Sequence, residues 1–240
     1  MRNKYYTKQT NSTNALLWEL NRQQSLPEGF VVQAGFQTAG KGQVGNSWES
    51  EPGKNLLFSM VLYPAHIPVD RLFLISQVVS LAIKQTLDEY ADGITVKWPN
   101  DIYWNDKKIV GILIENSLQN NKIKSVVIGV GLNVNQKVFV SNAPNPVSLL
   151  QITNKRQNRK MLLQKIQQNI MDLYKELNAE NICSEYAKAL YRKTGFYSFK
   201  ANEETFLARI HSVHPDGQLE LEAESGERKE FYFKEVQFLV

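Results

Sequence analysis

The residues Lys97-Trp98-Pro99-Asn100-Asp101 bring a cation, an amide and a carboxylate together around a proline. Two nearby segments extend this chemistry. Lys107-Lys108-Ile109-Val110-Gly111 adds two cations and a bare backbone position, and Gly129-Val130-Gly131-Leu132-Asn133-Val134-Asn135 adds two more glycines and two amides. Glycine or proline within a strand marks an edge, a bulge or a close approach to the backbone. Each cluster alone also fits a surface bulge with an incidental ion pair. Together they supply cations, amide donors and one acid on neighbouring strands, which suits a ligand carrying a carboxylate or a phosphate.

A fourth segment, Gly35 to Glu49, is rich in glycine and fits two nucleotide-binding spacings imperfectly. Gly35-x4-Gly40-Lys41 has the spacing of a Walker phosphate loop, but Gly42 stands where a Ser or Thr should hold magnesium. Gly40-x-Gly42-x-x-Gly45 has the dinucleotide spacing. Both motifs need a helix directly after the glycines, whose amides and dipole hold the phosphate. Pro52 and Gly53 argue against one here, and Asn55 to Tyr63 reads as a buried strand. The glycines therefore belong to a cationic loop between strands. Ser12-Thr13-Asn14 forms a fifth polar cluster at a helix start, where plain N-capping would account for it.

The elements that must position these residues are mixed in order. Lys4–Thr7 reads as a strand, followed by an amphipathic helix capped by Ser12 or Thr13. A strand over 29–37 leads into the glycine loop. A long helix is expected over 69–90, closed by Asp92-Gly93. Strands follow over 94–104, 108–117 and 122–134, with turns at Asn105-Asp106 and Asn120-Asn121, as in an antiparallel meander. A polar loop spans 136–147, and helices are expected near 158–178 and 181–193. From Phe196 short strands return, with turns at 214–217 and 225–226. This order predicts an α+β fold with an antiparallel-rich mixed sheet, divided into a catalytic domain (1–194) and a small β-barrel-like module (195–240).

The chain has 240 residues, 42% of them hydrophobic, enough for one good core and a docked small module. No signal core and no membrane-length apolar run is present, and the single cysteine, Cys183, excludes an internal disulfide. A soluble cytoplasmic protein is expected. Residues 101–200 carry 15 Lys and Arg against 7 Asp and Glu, whereas 201–240 carry 4 against 9. The basic middle can attract an acidic ligand, but it lacks the dense Lys/Arg blocks and recognition modules of a nucleic-acid binder.

In this order and spacing, "STN", "QTAGKGQVGNSW", "KWPNDI", "KKIVGILIE" and "GVGLNVN" resemble the biotin–protein ligases, from about residue 4 to the C-terminus. The resemblance implies a catalytic domain related to class II synthetases and lipoate ligases, followed by an SH3-like barrel. It also implies a two-step reaction in which biotin attacks MgATP to give biotinyl-AMP. A lysine of a biotin carboxyl carrier protein or domain then takes the acyl group and releases AMP. By resemblance, catalytic roles fall to Lys108, Asp101 and Lys41. Biotin contacts fall to Ser12, Thr13, Asn14, Gln37, Gly40, Lys108, Gly111 and Gly129. Nucleotide contacts fall to Lys41, Gly42, Gln43, Trp48, Asn100, Gly131 and Asn133. ATP, Mg2+ and biotin are thus the expected small molecules, and relatives occur as monomers or homodimers. Only eleven residues precede Ser12, so the short form is expected, without the DNA-binding domain and repressor function of some relatives.

The family loop commonly reads Gly-Arg-Gly-Arg-x-Gly, and here Lys41 and Gln43 replace the arginines. Lysine cannot form the bidentate fork of arginine, and glutamine carries no charge. Looser retention of the adenylate is therefore expected. Glu235-Val236 resembles the family's closing strand, which suggests that the tail helps to handle ATP or the acceptor. His211 and His214 lack a cysteine or third histidine for a zinc set, so no metal site is expected. Cys183 is expected to be packed, and Trp18 and Trp104 to be core or interface aromatics rather than cofactor stackers.

Overall fold

The computed structural model describes residues 3–43, 46–141 and 145–239. Val44 and Gly45 of the glycine loop, and residues 142–144 of the loop after Asn133, lie outside the described residues.

The strands β1 (Lys4–Thr7), β2 (Val31–Ala34) and β3 (Leu56–Leu62) form one half of a sheet. Its other half comprises β4 (Ile94–Lys97), β5 (Asp101–Trp104), β6 (Lys107–Gln119) and β7 (Lys122–Leu132). The order across the sheet is β1-β2-β3-β7-β6-β5-β4. Only β1 and β2 pair in parallel; the rest is antiparallel. The run Leu56 to Leu62 is buried along its whole length because both sheet faces are covered. Alternate residues divide the core. Val31, Met60 and Val126 face a large cluster shared with the helices α2 (Phe73–Leu87), α4 (Arg159–Glu176) and α5 (Ala179–Ala189). Val32, Val61 and Val127 face a smaller cluster with Leu17 of α1 (Thr13–Gln23).

A second sheet holds β8 (Tyr197–Ala201), β9 (Glu204–Val213), β10 (Leu219–Ala223), β11 (Arg228–Phe231) and β12 (Gln237–Phe238), in the order β11-β10-β9-β8-β12. It is fastened to the large sheet. Trp98 Nε1 donates to Gly217 O at 2.9 Å, and Arg192 Nη1 donates to Leu239 O at 2.5 Å.

Several expected elements have different bounds. The stretch 94–104 is two strands, with residues 98–100 in a turn, a cis Trp98–Pro99 bond and Lys97 paired opposite Asp101. A proline there removes a ladder donor, so the chain turns where a continuous strand was expected. The helix expected over 69–90 is a short 3-10 turn, Val69–Arg71, followed by α2, which ends at Leu87. Gly93, with φ +82°, lies in the connection just before β4, well after the end of that helix. The helix α3 (Leu149–Thr153) was not anticipated. Its signal was present, since Ser148 and Gln151 form a reciprocal capping box. Cys183 is exposed, not packed, with its Sγ 3.4 Å from Gln77 Oε1. No helix among the described residues is long and apolar enough to cross a membrane.

Candidate active site

Three strands supply the floor. Leu57, Gly131 and Gly111 lie side by side across β3, β7 and β6, as do Ser59, Gly129 and Leu113. Strand alternation puts both rows on the face that carries α1. A Cβ on Gly129 would lie 2.3 Å from Asn14 Oδ1. A Cβ on Gly111 or Gly131 would come within 2.6 Å or 2.5 Å of the Trp48 indole. The bare backbone thus accommodates groups of the chain itself, the first turn of α1 and the end of the glycine loop.

The start of α1 is held from below. Ser12 caps the helix, its Oγ accepting from Ala15 N. Thr13 donates through N and Oγ1 to Gln37 Oε1, at 2.7 and 3.0 Å. Ser59 Oγ lies 2.7 Å from Thr13 Oγ1 and 2.5 Å from Asn14 Oδ1, and Asn14 Nδ2 donates to Glu115 Oε2 at 2.7 Å. Ser12, Thr13 and Asn14 are all buried. A network this complete does more than cap a helix, because it fixes the direction of each polar group.

These residues form one end of a cavity of about 520 Å³. Its other walls include Lys41, Gly42, Gln43 and Trp48 from the loop, and Lys97, Asp101, Tyr103 and Lys108 from β4 to β6. Lys108 Nζ meets Asp101 Oδ2 at 2.5 Å. The pairing of β5 with β6, joined by the turn at Asn105-Asp106, sets Asp101 one strand away from Lys108, and the β4–β5 turn sets it opposite Lys97. Lys97 is pushed below the usual lysine range by burial; the charge of Asp101 opposes this, and Lys108 and Arg192 reinforce it. Burial, with the nearby charges of Asp101 and Tyr191, raises the Tyr103 hydroxyl well above its ordinary range.

Three expected site residues stand outside the main cavity. Gly40 lies where the loop crosses itself; its O accepts from Trp48 N at 2.9 Å, and a Cβ there would sit 2.7 Å from Trp48 O. Asn100 is buried and accepts from Gln43 Nε2 at 3.2 Å. Asn133 lines a small adjoining recess of about 30 Å³ with Trp48, Lys108, Phe139 and Pro146. Among the described residues, two buried polar atoms here have no hydrogen-bond partner, Trp48 Nε1 and Asn133 Oδ1. One is a donor and the other an acceptor, which suits a ligand edge offering both.

Other contributors were not singled out from the sequence. Glu49 accepts from Val140 N, Ser141 N and Gln136 Nε2, tying the loop after Asn133 to the residue after Trp48. Burial pushes its carboxyl up, but these hydrogen bonds outweigh that effect and hold it below the usual range. Phe233, from the turn after β11, lines the main cavity and stands 6.0 Å from the Trp98 ring. Glu115 and Ser59 act through Asn14. Glu115 closes the quoted "KKIVGILIE" motif without its partner being legible there, and a Ser within an apolar run gives little warning of such a role.

The histidines lie on the second sheet, away from this cavity. His214 Nε2 is 3.8 Å from Glu220 Oε2 and 3.6 Å from Glu230 Oε1, a carboxylate grouping that strand pairing creates and spacing alone does not reveal. Arg228 and Arg209 already share the carboxylates of Glu220 and Glu222.

Comparison with known proteins gives the chain a family. The model of the Biotin/lipoate A/B protein ligase family matches residues 6–133, more than half of the chain. The chain belongs to this family. The matched region contains α1, the glycine loop, the Lys97–Asp101 turn, Lys108 and the floor glycines. The Bacillus subtilis bifunctional ligase/repressor BirA is 41% identical over 112 residues, covering 46% of this chain and 34% of the relative. The Mycobacterium tuberculosis biotin–[acetyl-CoA-carboxylase] ligase is 35% identical over 135 residues, 53% of this chain and 48% of the relative. The aligned stretches thus span a third to a half of these relatives. The Aquifex aeolicus biotin protein ligase, solved with biotin and ATP, matches the fold with a TM-score of 0.80 at 24% identity, over 100% of both chains. The biotin/lipoate ligase fold therefore extends through the second, small sheet, as the SH3-like module of the expected architecture.

Proposed function

We propose that this protein is an ATP-dependent biotin–protein ligase, which activates biotin as biotinyl-AMP and transfers it to a lysine of a biotin carboxyl carrier domain. The observation that carries this reading is the Lys108–Asp101 pair, held in one cavity with the polar end built from Ser12, Thr13, Asn14 and Gln37. Two anions must be brought together in the first step, and fixed cations and amides counter their repulsion without reorganising. The cavity supports this: three lysines line it, against one carboxylate. In this reading 1–194 is the catalytic domain and 195–240 the docked module.

The buried amides and hydroxyls at the start of α1 take the uncharged polar ring of biotin. Lys108 holds the carboxylate and then the α-phosphate, trading its bond to Asp101 for one to the substrate. Adenine suits the recess, since its amino group can donate to Asn133 Oδ1 while its ring nitrogens and π-face are open to Trp48. MgATP enters as substrate. The loop from Lys41 to Trp48 covers the adenylate and keeps water from it. Once Lys108 turns to the phosphate, Asp101 is free to orient the incoming lysine amine. That amine is protonated at neutral pH, with an ordinary pKa of about 10.4, and a carboxylate can accept its proton. The acceptor class is supported by relatives named for carboxylase biotinylation.

The test is ATP–pyrophosphate exchange with biotin, lipoate, octanoate or no acid. Exchange that requires biotin is expected. Exchange with lipoate or octanoate alone would move the protein to the lipoate branch of its family.

A further inference from the structure

Of the cations in the cavity wall, Lys108 is engaged by Asp101 and Lys41 lies exposed on the loop. Lys97 differs from both. Among the described residues, no carboxylate lies within ion-pair distance of its ammonium. Its polar partner is Tyr103 Oη at 3.3 Å, and its remaining neighbours are rings, with the centroid of Tyr103 at 5.0 Å and that of Phe238 at 5.3 Å. An ammonium has three donors, so this one keeps donor capacity for a ligand where it borders the cavity. Burial and the positive charges of Lys108 and Arg192 disfavour its charged form, and Asp101 only partly offsets them. An incoming anion would relieve all of these at once. The seat is built by two sheets, since Tyr103 belongs to β5 and Phe238 to β12.

Building on the ligase reading, we infer that Lys97 is the cation that receives the pyrophosphate side of ATP. In adenylation, a carboxylate oxygen of biotin forms a bond to the α-phosphorus. The bond from that phosphorus to the αβ-bridging oxygen breaks, and its electron pair leaves on that oxygen. Pyrophosphate therefore departs with one more negative charge than the same group carried within ATP, and no proton is transferred. Attacking and leaving oxygens stand on opposite sides of the phosphorus. A cation held at the carboxylate and α-phosphate lies to one side of the charge that develops on the leaving group, so a second cation on that side adds stabilisation where the charge appears. Among the described residues neither Lys97 nor Lys41 has a carboxylate within ion-pair distance, but Lys41 is exposed on the loop whereas Lys97 is fixed on β4 between two rings, and Lys97 provides that second charge. Its work is confined to the first half-reaction, because pyrophosphate is gone before the acyl group is transferred.

Lys97→Met and Lys97→Arg separate this role from a structural one. Inorganic pyrophosphate is titrated calorimetrically without biotin, ATP–pyrophosphate exchange is measured, and chemically supplied biotinyl-5′-AMP is used to follow transfer to a carrier domain. One charge-assisted hydrogen bond corresponds to roughly a 10- to 100-fold change in affinity. Lys97→Met is expected to weaken pyrophosphate binding by about tenfold or more and to slow exchange by about 100-fold. Transfer from supplied adenylate should stay within about twofold, and Lys97→Arg should recover most of the exchange by keeping the charge. Unchanged pyrophosphate affinity in Lys97→Met, or equal losses in both half-reactions, would overturn the assignment. The pyrophosphate titration needs no biotin, so it tests Lys97 even if the wild-type protein shows no biotin-dependent exchange.

Discussion

The two sides of the cavity are stabilised in opposite ways. On the floor, Thr13, Asn14, Gln37, Ser59 and Glu115 are bonded to one another across α1 and two strands. On the loop side, Gly42 N donates to Asn46 O, Asn46 N to Gln43 O and Trp48 N to Gly40 O, so the loop closes mainly on itself. Gln43–Asn100 is a single amide link from it to the turn behind. A floor satisfied before any ligand arrives recognises without reorganising. A loop with exposed charge keeps its binding energy for the moment it closes.

The strongest test of this contrast is Lys108, which stands where the two sides meet. Lys108→Met is expected to slow biotin-dependent ATP–pyrophosphate exchange by about 10²- to 10³-fold, while leaving the melting temperature within a few degrees. A loss of folding instead would make Lys108 a structural ion-pair residue.

Two glycine substitutions then compare floor and loop directly. Gly129→Ala drives a methyl group into Asn14, which is held by Ser59 and Glu115 and cannot easily yield. It should cost about 1–3 kcal/mol, seen as a thermal shift of several degrees. Gly131→Ala meets the Trp48 indole at the end of the loop, so it should lower nucleotide affinity with a much smaller thermal shift. Equal thermal shifts would mean that the loop is as firmly built as the floor.

Gln43→Arg sharpens the picture of the loop. It exchanges an amide link to Asn100 for a charge, and loss of biotinyl-AMP should slow by about tenfold. An unchanged release rate would mean that this position never meets the phosphate.

The smallest effect concerns stability against pH. Lys97 has a folded-state pKa below its unfolded value, so protonation opposes folding at neutral pH. That cost is removed as pH rises through the lowered pKa towards the ordinary lysine value. Lys97→Met should therefore raise the melting temperature slightly at pH 7, and the gain should shrink in alkaline buffer. A pH-independent difference would assign the change to packing alone.

Much of this was legible in the chain. Apolar alternation located the strands, the asparagine pairs located turns, and the motif set pointed to one family. Alternation did not reveal that Trp98–Asn100 breaks a strand, because Ile94–Lys97 and Asp101–Trp104 share one β-rich composition. The glycines were correctly taken as places of close approach, yet what approaches them is Asn14 and Trp48. Those partners lie far away in sequence, and no local rule names them. Glu49 and Phe233 were passed over for the same reason, and Lys97 was singled out as a cation without its aromatic seat being foreseen.

By itself, then, the sequence determined which groups are available: the lysines, the acid, the amides and the bare backbone, together with the local periodicities that put each on a strand, turn or helix start. Those properties are short-range, set by side-chain chemistry and by neighbours a few residues away. Only the tertiary structure decided which charges are paired. It joined Asp101 to Lys108 and left Lys97 against two aromatic rings, one of them from the second sheet. Whether a cation is neutralised depends on distances of a few ångströms between separate elements, and folding sets those distances through the packing of the whole core.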